Sequence, residues 1–224
     1  ALAPVLEMTS PRAWAFSLLG IHEYFRRFSG DRLAGQVRDA LTAQLVDLYE
    51  RTATPDWQWF EEVLSYDNAR LAHALILSGR DSGDARALEI GLKALGWLVE
   101  VQRAPQGHFR AIGCHGFYRK GQQPARFDQQ PIEANATVAA CLEAYRATKE
   151  SRWMIEARSA FEWFLGRNDL GQELYDPSTG GCCDGLQEDR VNRNQGAEST
   201  LAFLLSLAEM HLLESSLAGF RQTR

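Results

Sequence analysis

The chain has 224 residues, of which 45% are hydrophobic and 24% charged, a composition typical of a globular domain rather than a disordered chain. Its formal net charge is −5 and it contains no basic tract, so a nucleic-acid partner is not expected. No apolar run approaches the roughly 18 residues of a spanning helix, and no secretory pattern opens the chain. We therefore expect a cytoplasmic protein with no membrane span.

The four cysteines show no spacing typical of a disulfide framework or a zinc site. They are Cys114, Cys141 and the adjacent pair 182–183, and no Cys-x-x-Cys occurs. His108 and His115 flank Cys114, but not at the spacing of a common zinc motif. Phosphate-binding and dinucleotide-binding motifs are also missing from the sequence. The cysteines are predicted to be free thiols, and no metal or cofactor is predicted.

Apolar residues recur every three to four positions through most of the chain, which predicts seven helices. The predicted helices run from Pro11 (capped by Ser10) to about Phe28, from after Asp31 to about Tyr49, from near Asp67 to Gly79, from about Asp84 to Val101, from Pro131 to about Ala147, from about Ser151 to Leu165 and from about Gln195 to Leu213. Strand signals are weak and lie only in the loops, at His108–Tyr118 and Glu173–Tyr175. The predicted fold class is all-α.

The helices are grouped as repeated pairs. Two to five residues join the first helix to the second, the third to the fourth and the fifth to the sixth, which predicts antiparallel αα-hairpins. Trp97 and Trp163 occupy equivalent places in two hairpins, 66 positions apart. Long loops at 51–66, 102–130 and 166–194 connect the hairpins, so all three lie at one end. We expect a functional site at that end.

Each long loop leads into a helix that begins with polar residues. The pattern Gln-x-x-Glu at 130–133 recurs 65 positions later at 195–198, and Asp67 and Arg70 occupy nearly the same frame. If these helices line one interior, the polar residues converge at one cavity mouth. Each motif alone also resembles a capping box, which satisfies the free N–H groups of a helix start.

Aromatic residues lie beside these carboxylates and amides, a combination suited to sugars, whose C–H faces stack on rings while their hydroxyls take hydrogen bonds. Trp97, Trp153 and Trp163 are instead predicted to fill the core. The candidate substrate-binding residues are Trp57, Trp59, Tyr66, Asn68, Arg70, Arg110, Tyr118, Gln129, Gln130, Asn194 and Gln195. The candidate catalytic residues are Asp67, Asp128, Glu133 and Glu198 as acid or base, and His108 and His115 as proton shuttles.

Four strings carry a resemblance to a known family. The most specific, Phe-Asp-Gln-Gln-Pro-Ile-Glu-Ala at 127–134, is accompanied by strings at 57–61, 64–71 and 194–200. Over about residues 11–210 the chain resembles the all-helical domain found C-terminal to many bacterial group 1 glycosyltransferases. The resemblance implies an (α/α) toroid of the six-hairpin glycosidase and sugar-epimerase kind, with saccharides bound at one end of the ring. It implies no established reaction, and no epimerase histidine pair can be matched.

These observations lead to three hypotheses. The first is a single domain, 1–224, that binds or processes carbohydrate and is associated with a glycosyltransferase in glycan biosynthesis. The second is a stand-alone glycoside hydrolase or sugar isomerase that uses a carboxylate pair, and the third is an assembly module without a ligand. Seven helices are fewer than the twelve of a closed toroid. We therefore expect part of a ring, lacking upstream helices, that pairs with another copy or closes differently.

Overall fold

The computed structural model describes the backbone of residues 2–222 and the side chains of residue 2 and residues 4–215. A short 3-10 helix at Ala3–Glu7 precedes the α-helices. These are α1 (Pro11–Phe25), α2 (Arg32–Thr52), α3 (Ala69–Ser82), α4 (Ala85–Val101), α5 (Pro131–Thr148), α6 (Ser151–Glu162) and α7 (Ala197–Gln222). None of the helices in the described range combines the length and the apolar character that crossing a bilayer requires.

The helices form two layers of αα-hairpins, so the predicted all-α architecture is confirmed. The odd-numbered helices pack side by side in the order α1, α3, α5, α7, while α2, α4 and α6 pack outside them. The two ends of the inner row, α1 and α7, both line one central cavity, so the row is curved. Because each hairpin is antiparallel, all inner helices begin at the end where the long loops lie.

Several helix ends differ from the prediction. Helix α3 continues past Gly79 to Ser82, and Gly83, with φ +76°, provides the left-handed residue at its end. Gly79 instead permits close packing, since a Cβ there would lie 2.5 Å from the backbone nitrogen of Leu88 in α4. Ser10 precedes α1 as predicted but makes no side-chain cap bond. Helices α1 and α6 end three residues early, and α7 begins later and extends further.

One short antiparallel ribbon joins the first two long loops, and two more lie within the third. They are β1 (Val63–Leu64) with β2 (Tyr118–Arg119), β3 (Tyr175–Asp176) with β4 (Gly181–Cys182), and β5 (Gly185–Leu186) with β6 (Val191–Asn192). The first ribbon ties loop 53–68 to loop 102–130. Backbone bonds of 2.9 Å in both directions between Gln129 and Leu186 tie the second loop to the third. The loop end is therefore one continuous platform over the starts of the inner helices.

Candidate functional site

A buried carboxylate joins two inner helices at the loop end. Glu133, in the first turn of α5, accepts hydrogen bonds from the backbone N–H of Asp67 and, at 3.2 Å, from that of Asn68. The Asn68 side-chain amide donates a third bond of 2.9 Å to the same carboxylate. Glu133 therefore caps the start of α3 rather than the start of its own helix. It is neither part of a capping box in α5 nor a free catalytic carboxylate.

An arginine of α1 connects this arrangement to the preceding loop. Arg12 forms an ion pair of 2.6 Å with Glu61 and donates to the Tyr66 carbonyl and, at 3.2 Å, to the Ser65 hydroxyl. Its guanidinium also lies 3.4 Å from the Asn68 side-chain oxygen. Arg12 is not recognisable as a site residue from the sequence, because a single arginine on an amphipathic helix has no distinguishing motif.

A second layer of polar contacts continues along the inner face. Arg70 donates to Asp67 at 3.2 Å and to the side-chain oxygen of Asn135 at 2.6 Å. Asn135 in turn donates to Ser206 of α7 at 3.0 Å. Helices α3, α5 and α7 are thus linked by charged and amide groups where an apolar contact would otherwise form. Asn135 was not among the predicted site residues. Its position two residues after Glu133, in the same polar helix start, is the signal in the sequence that could have indicated it.

Burial determines the electrostatics of the two central acids. Asp67 is 1% exposed and Glu133 is 3% exposed. Burial raises the pKa of Glu133 to about 7, and it raises that of Asp67 to about 6 against the opposing effect of Arg70 and Arg12. Asp67 also has a positive φ of 47°, a conformation that few residues other than glycine adopt readily. The burial and the positive φ of Asp67 indicate that the surrounding contacts fix the backbone at this position.

One aromatic and carboxylate pair at this end is open to solvent. Tyr66 is 42% exposed, and its hydroxyl donates at 2.9 Å to Glu198 at the start of α7. Burial of the rest of the residue and this bond raise the pKa of Tyr66 to about 12, so the phenol stays protonated. The pair lies directly on the Asp67 and Glu133 network and offers a flat ring beside an accessible carboxylate.

A separate ionic cluster contains three of the predicted residues. Asp169 accepts two bonds from Arg110, at 2.7 and 2.6 Å, and one from Gln129 at 2.8 Å, and lies 3.0 Å from His108. Burial alone would raise the pKa of Asp169, but these hydrogen bonds lower it below its ordinary value. Gln129 is fully buried and also accepts from Trp163. The cluster holds the loops together, and its side chains form their hydrogen bonds with one another.

The structure places Trp57 and Trp59, two predicted ligand contacts, inside the core. Both are buried, 2% and 0% exposed, and pack against Trp97 with ring centroids 4.9 and 6.0 Å apart. Trp57 also donates to the Glu61 carbonyl at 2.7 Å, and Tyr118 stacks on the same group. The loop folds back as core because its apolar rings have a hydrophobic groove to fill.

The remaining predicted residues do not join the Tyr66 and Glu198 pair. Gln195 is exposed and contacts Thr179 and Asp176, and Asn194 is exposed beside it. Gln130 precedes α5 without a side-chain cap bond. These residues surround the platform without sharing the central network.

Two further predicted residues meet elsewhere on the platform. His115 lies 3.7 Å from Asp128, and Cys114 is beside both. Their ligand atoms form a compact set of sulfur, nitrogen and oxygen that is able to hold a metal. All four cysteines are free thiols, as predicted.

The concave side of the arc contains a cavity of about 500 Å³ below this platform. Its wall alternates cations and anions, with Arg80 paired to Glu143, and Arg146 at 3.3 Å from the same carboxylate. His73 faces the same space, and burial lowers its pKa to about 3. Leu19, Leu77 and Leu212 complete the lining, so the cavity wall combines charged and apolar side chains.

Comparison with known proteins supports the fold assignment. No family model matches the chain, and no curated protein matches it. Among solved structures it is similar to the GH76A α-1,6-mannanase from Salegentibacter sp. HEL1_6, with a TM-score of 0.65, 12% identity, and coverage of 92% of this chain and 56% of that chain. An inactive variant of that mannanase in complex with α-1,6-mannotriose matches with a TM-score of 0.62, 13% identity, and coverage of 89% and 54%.

Two other solved structures give the same result. The GH76 α-mannanase BT2949 of Bacteroides thetaiotaomicron matches with a TM-score of 0.66, 10% identity, and coverage of 92% of this chain and 53% of that chain. The Lin0763 protein of Listeria innocua matches with a TM-score of 0.59, 12% identity, and coverage of 94% and 74%. The chain thus spans little more than half the length of the mannanases it matches. At these identities the likeness establishes an (α/α)-toroid-type fold.

Proposed function

We propose that this chain is a saccharide-binding domain whose ligand contacts the Tyr66 and Glu198 pair at the loop end of the inner helices. The observation that carries the proposal is the exposed Tyr66 ring, hydrogen-bonded at 2.9 Å to an accessible carboxylate. A flat ring beside a fixed acceptor matches a sugar, which presents a C–H face and hydroxyl donors together. The buried network beneath the pair fixes its position before a ligand binds, which lowers the entropic cost of binding.

The fold favours an oligosaccharide of mannose as the first ligand to examine. Three of the structural neighbours are described as mannanases, one of them in complex with α-1,6-mannotriose. Because identity is only 10–13%, the neighbours support the class of ligand and not its linkage. Other hexose oligosaccharides belong in the same panel.

We propose binding without hydrolysis as the primary activity. Glu133 uses both carboxylate oxygens to cap α3, which leaves neither oxygen free to act on a glycosidic bond. The inactive mannanase variant carries asparagine in place of two consecutive aspartates, and this chain has no two consecutive aspartates. These observations favour a carbohydrate-binding surface over the catalytic arrangement of that neighbour.

Glycoside hydrolysis is the second candidate, and one observation favours it. Burial raises the pKa of Asp67 to about 6, in the range suited to a general acid, and Glu198 lies close enough to contribute to that shift. A hydrolase would release reducing ends from an α-mannan oligosaccharide, and Asp67→Asn would abolish the release. A sugar isomerase would instead change the monosaccharide without cleaving a bond.

The resemblance at 127–134 extends the proposal to a partner. We place this domain beside a group 1 glycosyltransferase in glycan biosynthesis, in the cytoplasm, as the sequence predicts. Coexpression with such a transferase from the same genome should give a complex that elutes as one species. Separate elution at micromolar concentrations would contradict the association and leave saccharide binding to be judged by its own test.

Calorimetry with a panel of mono- and oligosaccharides tests the binding proposal. The wild-type chain, Tyr66→Ala and Glu198→Gln form the test set. Tyr24→Ala is the matched control, because Tyr24 is 38% exposed and donates at 2.9 Å to Asp31 at the opposite end of α1. We expect binding to weaken at least tenfold in both site variants and to stay unchanged in the control. Absence of heat from every sugar would overturn the proposal.

A further inference from the structure

Three chemically different ligand groups lie together on the second long loop, outside the Tyr66 and Glu198 pair. Cys114, His115 and Asp128 each provide one ligand atom, and these atoms all lie within 4.8 Å of one another. The imidazole Nε2 and the carboxylate Oδ2 are 3.7 Å apart. Tetrahedral zinc with bonds of 2.0–2.3 Å requires its ligand atoms to be about 3.3–3.8 Å apart. Small side-chain rotations therefore suffice to close the set on a metal.

The backbone brings these side chains together without a metal. Cys114 N–H donates to the Asp128 carbonyl at 2.9 Å, and His115 N–H donates to the Phe127 carbonyl at 3.1 Å. Gly113 N–H also donates to the carbonyl of Ala125 at 2.8 Å. A Cβ at position 113 would fall inside the backbone of Phe127, so only glycine permits this approach. The two segments are consequently held in register.

The donor set is selective in its chemistry. A thiolate, an imidazole and a carboxylate together suit zinc or a similar borderline transition ion, whereas calcium and magnesium prefer oxygen ligands alone. Three protein ligands leave a fourth coordination position open to water or another donor. No other group of three such residues occurs within the described part of the chain. The His115 ring is 75% exposed, so a metal has a direct route of entry.

The geometry points to a divalent transition-metal site of the zinc type formed by Cys114, His115 and Asp128, with one open position. Binding exchanges the Cys114 thiol proton for the metal and releases that proton to solvent. The spacing of the cysteines and histidines in the sequence does not indicate this set, because Asp128 joins Cys114 and His115 only through the paired backbone.

Cobalt(II) is the most informative probe, because a cobalt–thiolate bond produces a charge-transfer band in the near ultraviolet. The full chain, treated with chelator under reducing conditions, is titrated with cobalt(II) and then with zinc. We expect one cobalt per chain, a thiolate charge-transfer band, and displacement of cobalt by zinc. Cobalt binding without this band, or no binding at micromolar concentrations, would overturn the proposal.

Matched variants locate the site. Cys114→Ser should eliminate the band, and His115→Ala and Asp128→Asn should each weaken cobalt binding at least tenfold. Cys183→Ser and His108→Ala are the controls, since Cys183 is a second free thiol and His108 is a second histidine beside an aspartate. Circular dichroism establishes that each variant is folded. A band that survives in Cys114→Ser, or is lost in Cys183→Ser, would contradict the assignment.

Discussion

Glu133 and Asn68 are 65 positions apart in sequence, and the side chain of the first caps the helix start at the second. The carboxylate accepts from the backbone N–H of Asn68 at 3.2 Å and from its side-chain amide at 2.9 Å. This contact fixes the start of α3 against the start of α5. It also sets the position of Tyr66, two residues earlier, and therefore of the surface to which a saccharide is proposed to bind.

Removing this carboxylate should destabilise the fold. Glu133→Ala leaves two backbone N–H groups and the Asn68 amide without an acceptor, and we expect a loss of about 3 kcal/mol in the free energy of unfolding. Glu150→Ala is the control, because Glu150 is an exposed glutamate at another helix start and makes no side-chain cap bond. Urea denaturation of both variants measures the effect. A loss below about 1 kcal/mol in Glu133→Ala would show that the cap contributes little.

Stability should also depend on pH through the same group. Because the pKa of folded Glu133 is raised from 4.5 to about 7, its stabilising contribution is complete below pH 4.5 and is lost as pH rises through 7. The full shift corresponds to about 3 kcal/mol. Urea denaturation should show that the free energy of unfolding falls more between pH 5 and pH 8 for wild type than for Glu133→Gln, whose side chain does not ionise. Equal decreases would contradict the raised pKa.

The tryptophans of the first long loop should affect folding. Trp59 is completely buried, and Trp59→Ala should reduce the free energy of unfolding by about 3–5 kcal/mol. Tyr66→Ala, seven residues further along, should change stability by less than about 1 kcal/mol because its ring is partly exposed. Thermal denaturation followed by circular dichroism separates the two. Normal stability of the Trp59→Ala variant would contradict a role for this ring in the core.

Two glycines within helices should respond oppositely to alanine. At Gly79 a Cβ would lie 2.5 Å from the Leu88 nitrogen and 2.9 Å from the Asp84 carbonyl, so Gly79→Ala should destabilise by about 2 kcal/mol. At Gly35 in α2 nothing lies within 4 Å of an added Cβ. Gly35→Ala should stabilise by about 0.5–1 kcal/mol through helix propensity. Destabilisation of similar size at both positions would contradict close packing of α3 on α4.

Apolar periodicity predicts the helices and hairpins well, because each helix has one face against the other layer. The periodicity does not determine the helix ends, because a glycine such as Gly79 can allow close helix packing as well as a turn. Polar motifs at helix starts indicate where a site lies, but not which groups remain accessible. The carboxylate of Glu133 forms its hydrogen bonds with the start of a neighbouring helix, and this contact between distant segments has no signature in the local sequence.

Aromatic residues in long loops are the least predictable part. Trp57 and Tyr66 occur in the same loop, yet one is buried and the other is 42% exposed. The difference arises because Trp57 packs against Trp97 and Tyr118, whereas Tyr66 follows β1 and bonds to exposed Glu198. Such packing depends on the second long loop, through β2, and is not encoded within the segment itself.

A protein-observed NMR titration with the panel oligosaccharides locates the saccharide site directly. We predict that backbone amide signals of residues 65–68 and 197–199 shift in a saturable way, and that Tyr66→Ala weakens this response at least tenfold. The Tyr24→Ala variant should respond as wild type does. Saturable shifts confined to other regions, or no shifts with any sugar, would contradict a saccharide site at Tyr66 and Glu198.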